Sequence, residues 1–67
     1  MNLYKDRIEV NPKVMLGKAV VKGTRIPVYL ILKLLAQGYD TKRIIKAYPI
    51  LTREDITAVL YYAAENK

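Results

Sequence analysis

The sequence contains no cysteine and no histidine. Disulfide bonds are therefore excluded, and so are metal sites built from thiolate or imidazole ligands. The same absence removes the commonest general base and the strongest protein nucleophile. The acidic side chains offer little replacement, because Asp40, Glu54 and Asp55 are placed to stabilise helix N-termini. No glycine-rich loop has a phosphate-binding spacing. We therefore expect a protein that is not an enzyme and that holds no metal or cofactor.

Long apolar runs are also lacking. The longest apolar stretch, residues 26–35, is far shorter than the roughly 20 residues that a membrane-spanning helix needs. No apolar region follows the charges at the start of the chain, so a signal peptide is not indicated. Since 52% of the residues are hydrophobic, the chain is too apolar for a disordered tail. These features predict a soluble cytoplasmic domain without membrane contact.

Basic residues outnumber acidic ones by twelve to six, which gives a formal net charge of +6. Such a surplus favours an anionic partner, either nucleic acid or an acidic protein surface. The 67 residues are enough for one small domain, whose core is marginal. Because disulfides and metals are excluded, self-association, most simply as a homodimer, or a partner protein is expected to add stability.

The composition changes near residue 26. Before it, Ile8-Glu9-Val10 alternates, and residues 18–22 form a short β-branched run between Gly17 and Gly23. Residues 1–25 are therefore predicted to form a β arm or hairpin. A lone hairpin is marginal in water, so the arm should pack on the rest of the chain or pair with a second chain.

Residues 26–67 carry the pattern of three helices. Pro27 suits the first turn of the first helix, and Gly38 stops it. Its predicted buried stripe is Val28, Ile31, Leu32 and Leu35.

The second helix, Thr41–Tyr48, has Asp40 as N-cap and is ended by Pro49. Thr52 and Asp55 resemble a capping box for the third. Its predicted buried stripe is Ile56, Val59, Leu60 and Ala63. The fold class is therefore mainly α, a three-helix helix-turn-helix bundle with a short N-terminal β arm or hairpin.

The last two helices are joined by residues 49–51, which suits a DNA-binding helix-turn-helix and equally an ordinary three-helix bundle. Lys42, Arg43 and Lys46 occupy the first two turns of the second helix, where the helix dipole favours acids. A cluster that binds phosphate would explain this placement. The alternative is that these residues form an ordinary charged face in contact with solvent.

The outward positions of the third helix are predicted to be Arg53, Thr57 and Tyr61, which can reach base edges in the major groove. Glu54 and Asp55 at its start would repel phosphate. This conflict leaves open a domain that binds protein instead of DNA.

The segment at residues 17–28, GKAVVKGTRIPV, is distinctive. So are LLAQG at 34–38, YP at 48–49, LT at 51–52, EDI at 54–56 and LYYAA at 60–64. Together they resemble the small prokaryotic family called domain of unknown function 433. The resemblance implies a helix-turn-helix domain with an N-terminal β arm. It also implies a role like that of VapB-type antitoxins, which pair with a PIN-domain ribonuclease toxin. Positions 42 and 43 are commonly acidic in that family but are Lys and Arg here.

The centre of this motif has a physical explanation. Gly23 is predicted to take a positive φ at the turn between arm and helix. Thr24 can bond the local backbone, and Pro27 starts the helix. Arg25 is expected to be a structural clasp on carbonyl groups more readily than a ligand contact.

The sequence thus predicts a dimeric, DNA-binding, VapB-like antitoxin or small transcriptional regulator of a toxin–antitoxin operon. Lys42, Arg43 and Lys46 would hold phosphates of double-stranded operator DNA while Arg53 and Thr57 probe the groove. The arm and first helix would supply a two-fold interface. The alternative is an interaction module that masks a PIN-domain toxin with little or no DNA binding.

Overall fold

The computed structural model describes residues 6–10, 13 and 18–65. Its elements, in chain order, are β1 (Ile8–Val10), β2 (Ala19–Val21), α1 (Val28–Ala36), α2 (Thr41–Ala47) and α3 (Arg53–Glu65). The predicted fold class, mainly α with a short N-terminal β hairpin, is confirmed. Gly17, which was predicted to bound the second strand, lies outside the described residues.

The hairpin is antiparallel and pairs Ile8 with Val21 and Val10 with Ala19. Val20 and Val21 are both fully buried. Because successive strand side chains point to opposite faces, both faces of β2 are covered. Packing against the helices therefore stabilises an arm that would be marginal alone.

The main core takes side chains from the hairpin, all three helices and the segment before α3. Its buried members are Ile8, Val21, Val28, Ile31, Ile44, Leu51, Ile56, Ala58 and Val59. The predicted stripe of α1 is largely confirmed, since Val28 and Ile31 are buried and Leu32 and Leu35 pack against the core half-buried.

The predicted stripe of α3 is wrong at Leu60, which is 49% exposed, whereas Ala58 is buried. At about 100° per residue, positions 58 and 60 lie roughly 160° apart around a helix, so one packed face cannot bury both. The small Ala58 side chain faces inward, and the large Leu60 side chain is turned towards solvent.

The turn between β2 and α1 follows the prediction at Gly23 and Thr24. Gly23 has a φ of +83°. The Thr24 hydroxyl donates to the Val21 carbonyl at 2.8 Å and accepts from the Ile26 N–H at 3.0 Å. Pro27 stands at the N-cap of α1, one position before the first helical turn, and forms an isolated bridge with Val20. The prediction for Arg25 is wrong, as described below.

Candidate nucleic-acid interface

The cations of α2 form an exposed basic face. Lys42, Arg43 and Lys46 are all solvent-exposed, and the first turn of the helix contains no acid. The predicted N-cap is confirmed, because Asp40 Oδ1 accepts from the Arg43 N–H at 2.8 Å. The helix ends at Ala47 with Tyr48 as its C-cap, one residue earlier than predicted. The Asp40 carboxylate is thus engaged with the backbone and lies beside a short helix that carries three positive charges.

Arg43 differs from its two neighbours because its side chain is stacked. Its guanidinium carbon lies 4.0 Å from the centre of the Tyr39 ring. A guanidinium above an aromatic face is attracted by the ring quadrupole and keeps its N–H edge available. Sequence reasoning missed Tyr39, although the Tyr-x-x-x-Arg spacing was a possible signal.

The start of α3 is fixed by Asp55. The predicted capping box is confirmed: Asp55 Oδ2 accepts from the Thr52 N–H at 2.9 Å, and the Asp55 N–H donates to Thr52 Oγ1 at 3.2 Å. The other carboxylate oxygen, Oδ1, accepts from Arg7 Nη1 at 3.0 Å. Asp55 is only 8% exposed, so this carboxylate joins the arm to the helix at a largely buried point.

Arg7, and not Arg25, therefore joins the arm to the helices, and it does so through a carboxylate and not through carbonyl groups. Arg25 is exposed, and no hydrogen bond or ion pair of its side chain is present within the described residues. The reason is local: the backbone groups of the turn already bond to Thr24 and to the neighbouring strand. The Val21 and Ile26 carbonyls therefore have partners without an arginine.

Arg53 and Thr57 lie exposed on the outward face of α3, as predicted. The Thr57 hydroxyl donates to the Arg53 carbonyl at 3.1 Å, which leaves it as a hydrogen-bond acceptor towards the surface. These two residues and the α2 cations lie on different helices. Residues 49–51, between the Tyr48 and Thr52 caps, form the predicted short joint between those helices.

Further along α3 the outward face becomes apolar. A shallow groove of about 360 Å³ is lined by Thr57, Leu60, Tyr61 and Ala64. Leu60 and Tyr61 are 49% and 45% exposed. Sequence reasoning missed this groove because it placed Leu60 in the core. The face combines an arginine near its start with an apolar surface towards its end.

Acidic side chains do not cluster in the described part of the chain. Within residues 6–10, 13 and 18–65, no three of them come together in a way that could hold a metal ion. Over the same ranges, no helix is both long and apolar enough to cross a membrane.

A family model described as "Protein of unknown function (DUF433)" matches residues 8–63. The chain belongs to the DUF433 family. This DUF433 protein is 34% identical over 62 residues to the uncharacterized protein y4eO of Sinorhizobium fredii, covering 92% of this chain and 28% of that protein. The crystal structure of a DUF433 member from Anabaena variabilis matches with a TM-score of 0.87 and 35% identity, covering 92% of this chain and 61% of the other. The chain thus spans only part of each relative.

Proposed function

We propose that this DUF433 protein binds double-stranded DNA as a small, VapB-like antitoxin or transcriptional regulator of a toxin–antitoxin operon. The observation that carries the proposal is the exposed face of Lys42, Arg43 and Lys46. None of the three forms an ion pair within the described residues. Lys42 and Arg43 lie in the first turn, where the helix dipole disfavours cations, whereas Lys46 lies in the last turn. The placement of the first two does not stabilise the helix and suits phosphate binding.

In this mechanism α2 holds the DNA backbone and α3 approaches the groove. Phosphate contacts fix register, while base contacts give specificity. Arg53 is the candidate for base recognition, because arginine to guanine is the commonest specific contact. Thr57, one helical turn further along α3, can accept a hydrogen bond from a base. The Asp55 carboxylate repels phosphate less than a free carboxylate would, because it accepts hydrogen bonds from Arg7 and from the Thr52 N–H.

A palindromic operator requires a symmetric dimer. The arm and α1 are the proposed interface, because Val10 and Tyr29 are 58% and 52% exposed there. A size measurement by light scattering tests this step. Replacement of Val10 and Tyr29 with Gln should convert the dimer into a monomer, and a wild-type monomer at all concentrations would contradict it.

The decisive experiment is fluorescence anisotropy with duplex DNA from upstream of the gene, titrated across salt concentration, with a scrambled duplex as control. Specific binding should weaken with salt by a slope of about −0.9 per neutralised phosphate. Replacing Lys42, Arg43 and Lys46 with Gln should flatten that slope by about 0.9 for each phosphate that the variant no longer neutralises.

A matched variant distinguishes phosphate binding at the α2 cations from a general attraction between the positively charged protein and DNA. Replacing Lys22, Arg25 and Lys33 with Gln removes the same charge from other exposed positions. This variant should keep most of the slope. Equal flattening by both variants, or equal binding of both duplexes, would mean that the +6 charge acts only generically.

A second candidate, a module that masks a PIN-domain toxin with little or no DNA binding, is favoured by the apolar groove on α3. Exposed apolar clusters mark protein contacts more often than DNA contacts. Co-purification with the product of an adjacent gene tests it. Replacing Leu60 and Tyr61 with Gln should abolish that complex, whereas the α2 variant should leave it intact.

A further inference from the structure

Tyr39 is held from two sides. Its N–H donates to the Leu34 carbonyl at 3.1 Å, next to the Gly38 N–H, which donates to the Leu35 carbonyl at 3.0 Å. With Gly38 at a φ of +97°, these bonds form the Schellman closure of α1. The Tyr39 ring is half-buried and packs against the hydrophobic core. Its position is therefore set by the end of one helix and not by the cation that it contacts.

Arg43 is also fixed at both ends. Its N–H is bonded to the Asp40 carboxylate at 2.8 Å, and its guanidinium carbon lies 4.0 Å from the centre of the Tyr39 ring. Among the described residues no side-chain hydrogen bond or ion pair uses its guanidinium N–H groups. The Tyr39 ring covers one face of the guanidinium group, and the N–H edge of that group remains accessible.

This arrangement prepares Arg43 for an anion that presents two oxygen atoms to the guanidinium group. An arginine fork binds phosphate through two parallel hydrogen bonds, and a fork that is already oriented loses less rotamer freedom on binding. No ring is stacked beneath Lys42 or Lys46 in the described part of the chain. The three cations of α2 are thus not equivalent.

We propose that Tyr39 is a positioning residue, which holds the Arg43 guanidinium in place to bind a phosphate of the DNA backbone. The proposal rests on the proposed function, since it assigns a role within the same DNA-binding face. It predicts that the tyrosine affects DNA affinity only through the arginine.

The test compares Tyr39→Leu, Tyr39→Phe and Arg43→Gln in the anisotropy assay with the upstream duplex. Removal of the ring should weaken binding about two- to fivefold, as expected for an exposed cation–π contact. Phe keeps the ring and should restore wild-type affinity. On an Arg43→Gln background, Tyr39→Leu should have no further effect, which a change in core packing alone would not produce.

Tyr48→Leu is the matched control, because Tyr48 is half-buried against the same core and carries no stacked cation within the described residues. Its affinity should equal that of the wild type. An NMR measurement on the free protein reports the contact itself: the Arg43 Hε and Hδ signals should shift upfield from ring current, and that shift should disappear in Tyr39→Leu.

The outcomes separate this proposal from the function on which it rests. If Arg43→Gln weakens binding and Tyr39→Leu does not, the positioning role is overturned and DNA binding stands. If Tyr39→Leu weakens binding equally with and without Arg43, the ring acts through packing and the proposal also fails. If the wild type binds no duplex, both proposals fail, and the NMR shift then reports a purely structural stack.

Discussion

Replacing Asp55 with Ala is predicted to destabilise the protein by about 2–3 kcal/mol. The substitution removes the acceptor for the Thr52 N–H at 2.9 Å and for Arg7 Nη1 at 3.0 Å. Loss of an N-terminal capping interaction costs about 1 kcal/mol, within a range of about 0.5–2. Hydrogen bonds to charged groups contribute about 1.5–3 kcal/mol. Because the Arg7 side chain is 44% exposed, solvent screening lowers its share to about 1–1.5 kcal/mol.

This loss is large for a chain of 67 residues. Typical stabilities of roughly 0.05–0.15 kcal/mol per residue correspond to a total of about 3–10 kcal/mol. Since 1 kcal/mol shifts the Tm of such a domain by about 4–8 °C, the Tm of Asp55→Ala should fall by roughly 8–24 °C. Urea and thermal unfolding followed by circular dichroism measure both quantities.

A double-mutant cycle isolates the link between arm and helix. Arg7→Met keeps the apolar stem and should cost about 1 kcal/mol, because it leaves the largely buried carboxylate with one partner fewer. In the Asp55→Ala background the same change should cost almost nothing, so the coupling energy should be about 1 kcal/mol. Part of that coupling should disappear at high salt, since Arg7 is partly exposed.

Arg25→Met is the control for this cycle. Arg25 is exposed and without a hydrogen bond or ion pair in the described part of the chain, so its replacement should change stability by less than about 0.5 kcal/mol. A coupling energy near zero between Arg7 and Asp55, or a larger cost at Arg25 than at Arg7, would refute the inference that Arg7 joins the arm to the helix.

Four further substitutions have clear expected outcomes. Gly38→Ala should cost about 1 kcal/mol in urea unfolding, because the φ of +97° strains any L side chain although the surrounding space is open. Ile44→Ala should cost about 2–5 kcal/mol, whereas Leu60→Gln should cost less than about 0.5, and similar values would contradict the observed burial. Lys42→Glu should raise stability by about 0.3–1 kcal/mol through the helix dipole while it weakens DNA binding, and a decrease in stability would contradict that account.

The features that sequence reasoning predicted depend on contacts between near neighbours in the chain. Asp40 caps α2 through a residue three positions later, and Thr52 and Asp55 cap α3 in the same way. The positive φ of Gly23 is set by a turn of a few residues. Such contacts leave a signature in residue type and spacing, so the three helices and the N-terminal caps of α2 and α3 were predictable.

The features that were missed depend on distant parts of the chain. Arg7 and Asp55 are 48 positions apart, and several arginines were equally plausible partners for a buried carboxylate. The exposure of Leu60 follows from the orientation in which α3 packs on the other elements. Periodicity alone allowed a stripe through either Leu60 or Ala58. Only the packed structure decides between them.

The first turn of α2 and the outer face of α3 are two places, among the described residues, where the chain departs from rules that it follows elsewhere. The caps of α2 and α3 are formed and the core is apolar, yet Lys42 and Arg43 oppose the helix dipole, and Leu60 and Tyr61 lie exposed. Local departures of this kind are expected where function competes with stability. Because Leu60 and Tyr61 lie on a different helix from Lys42 and Arg43, separate variants can test the DNA-binding proposal and the protein-binding alternative. The α2 and α3 variants should therefore affect different partners.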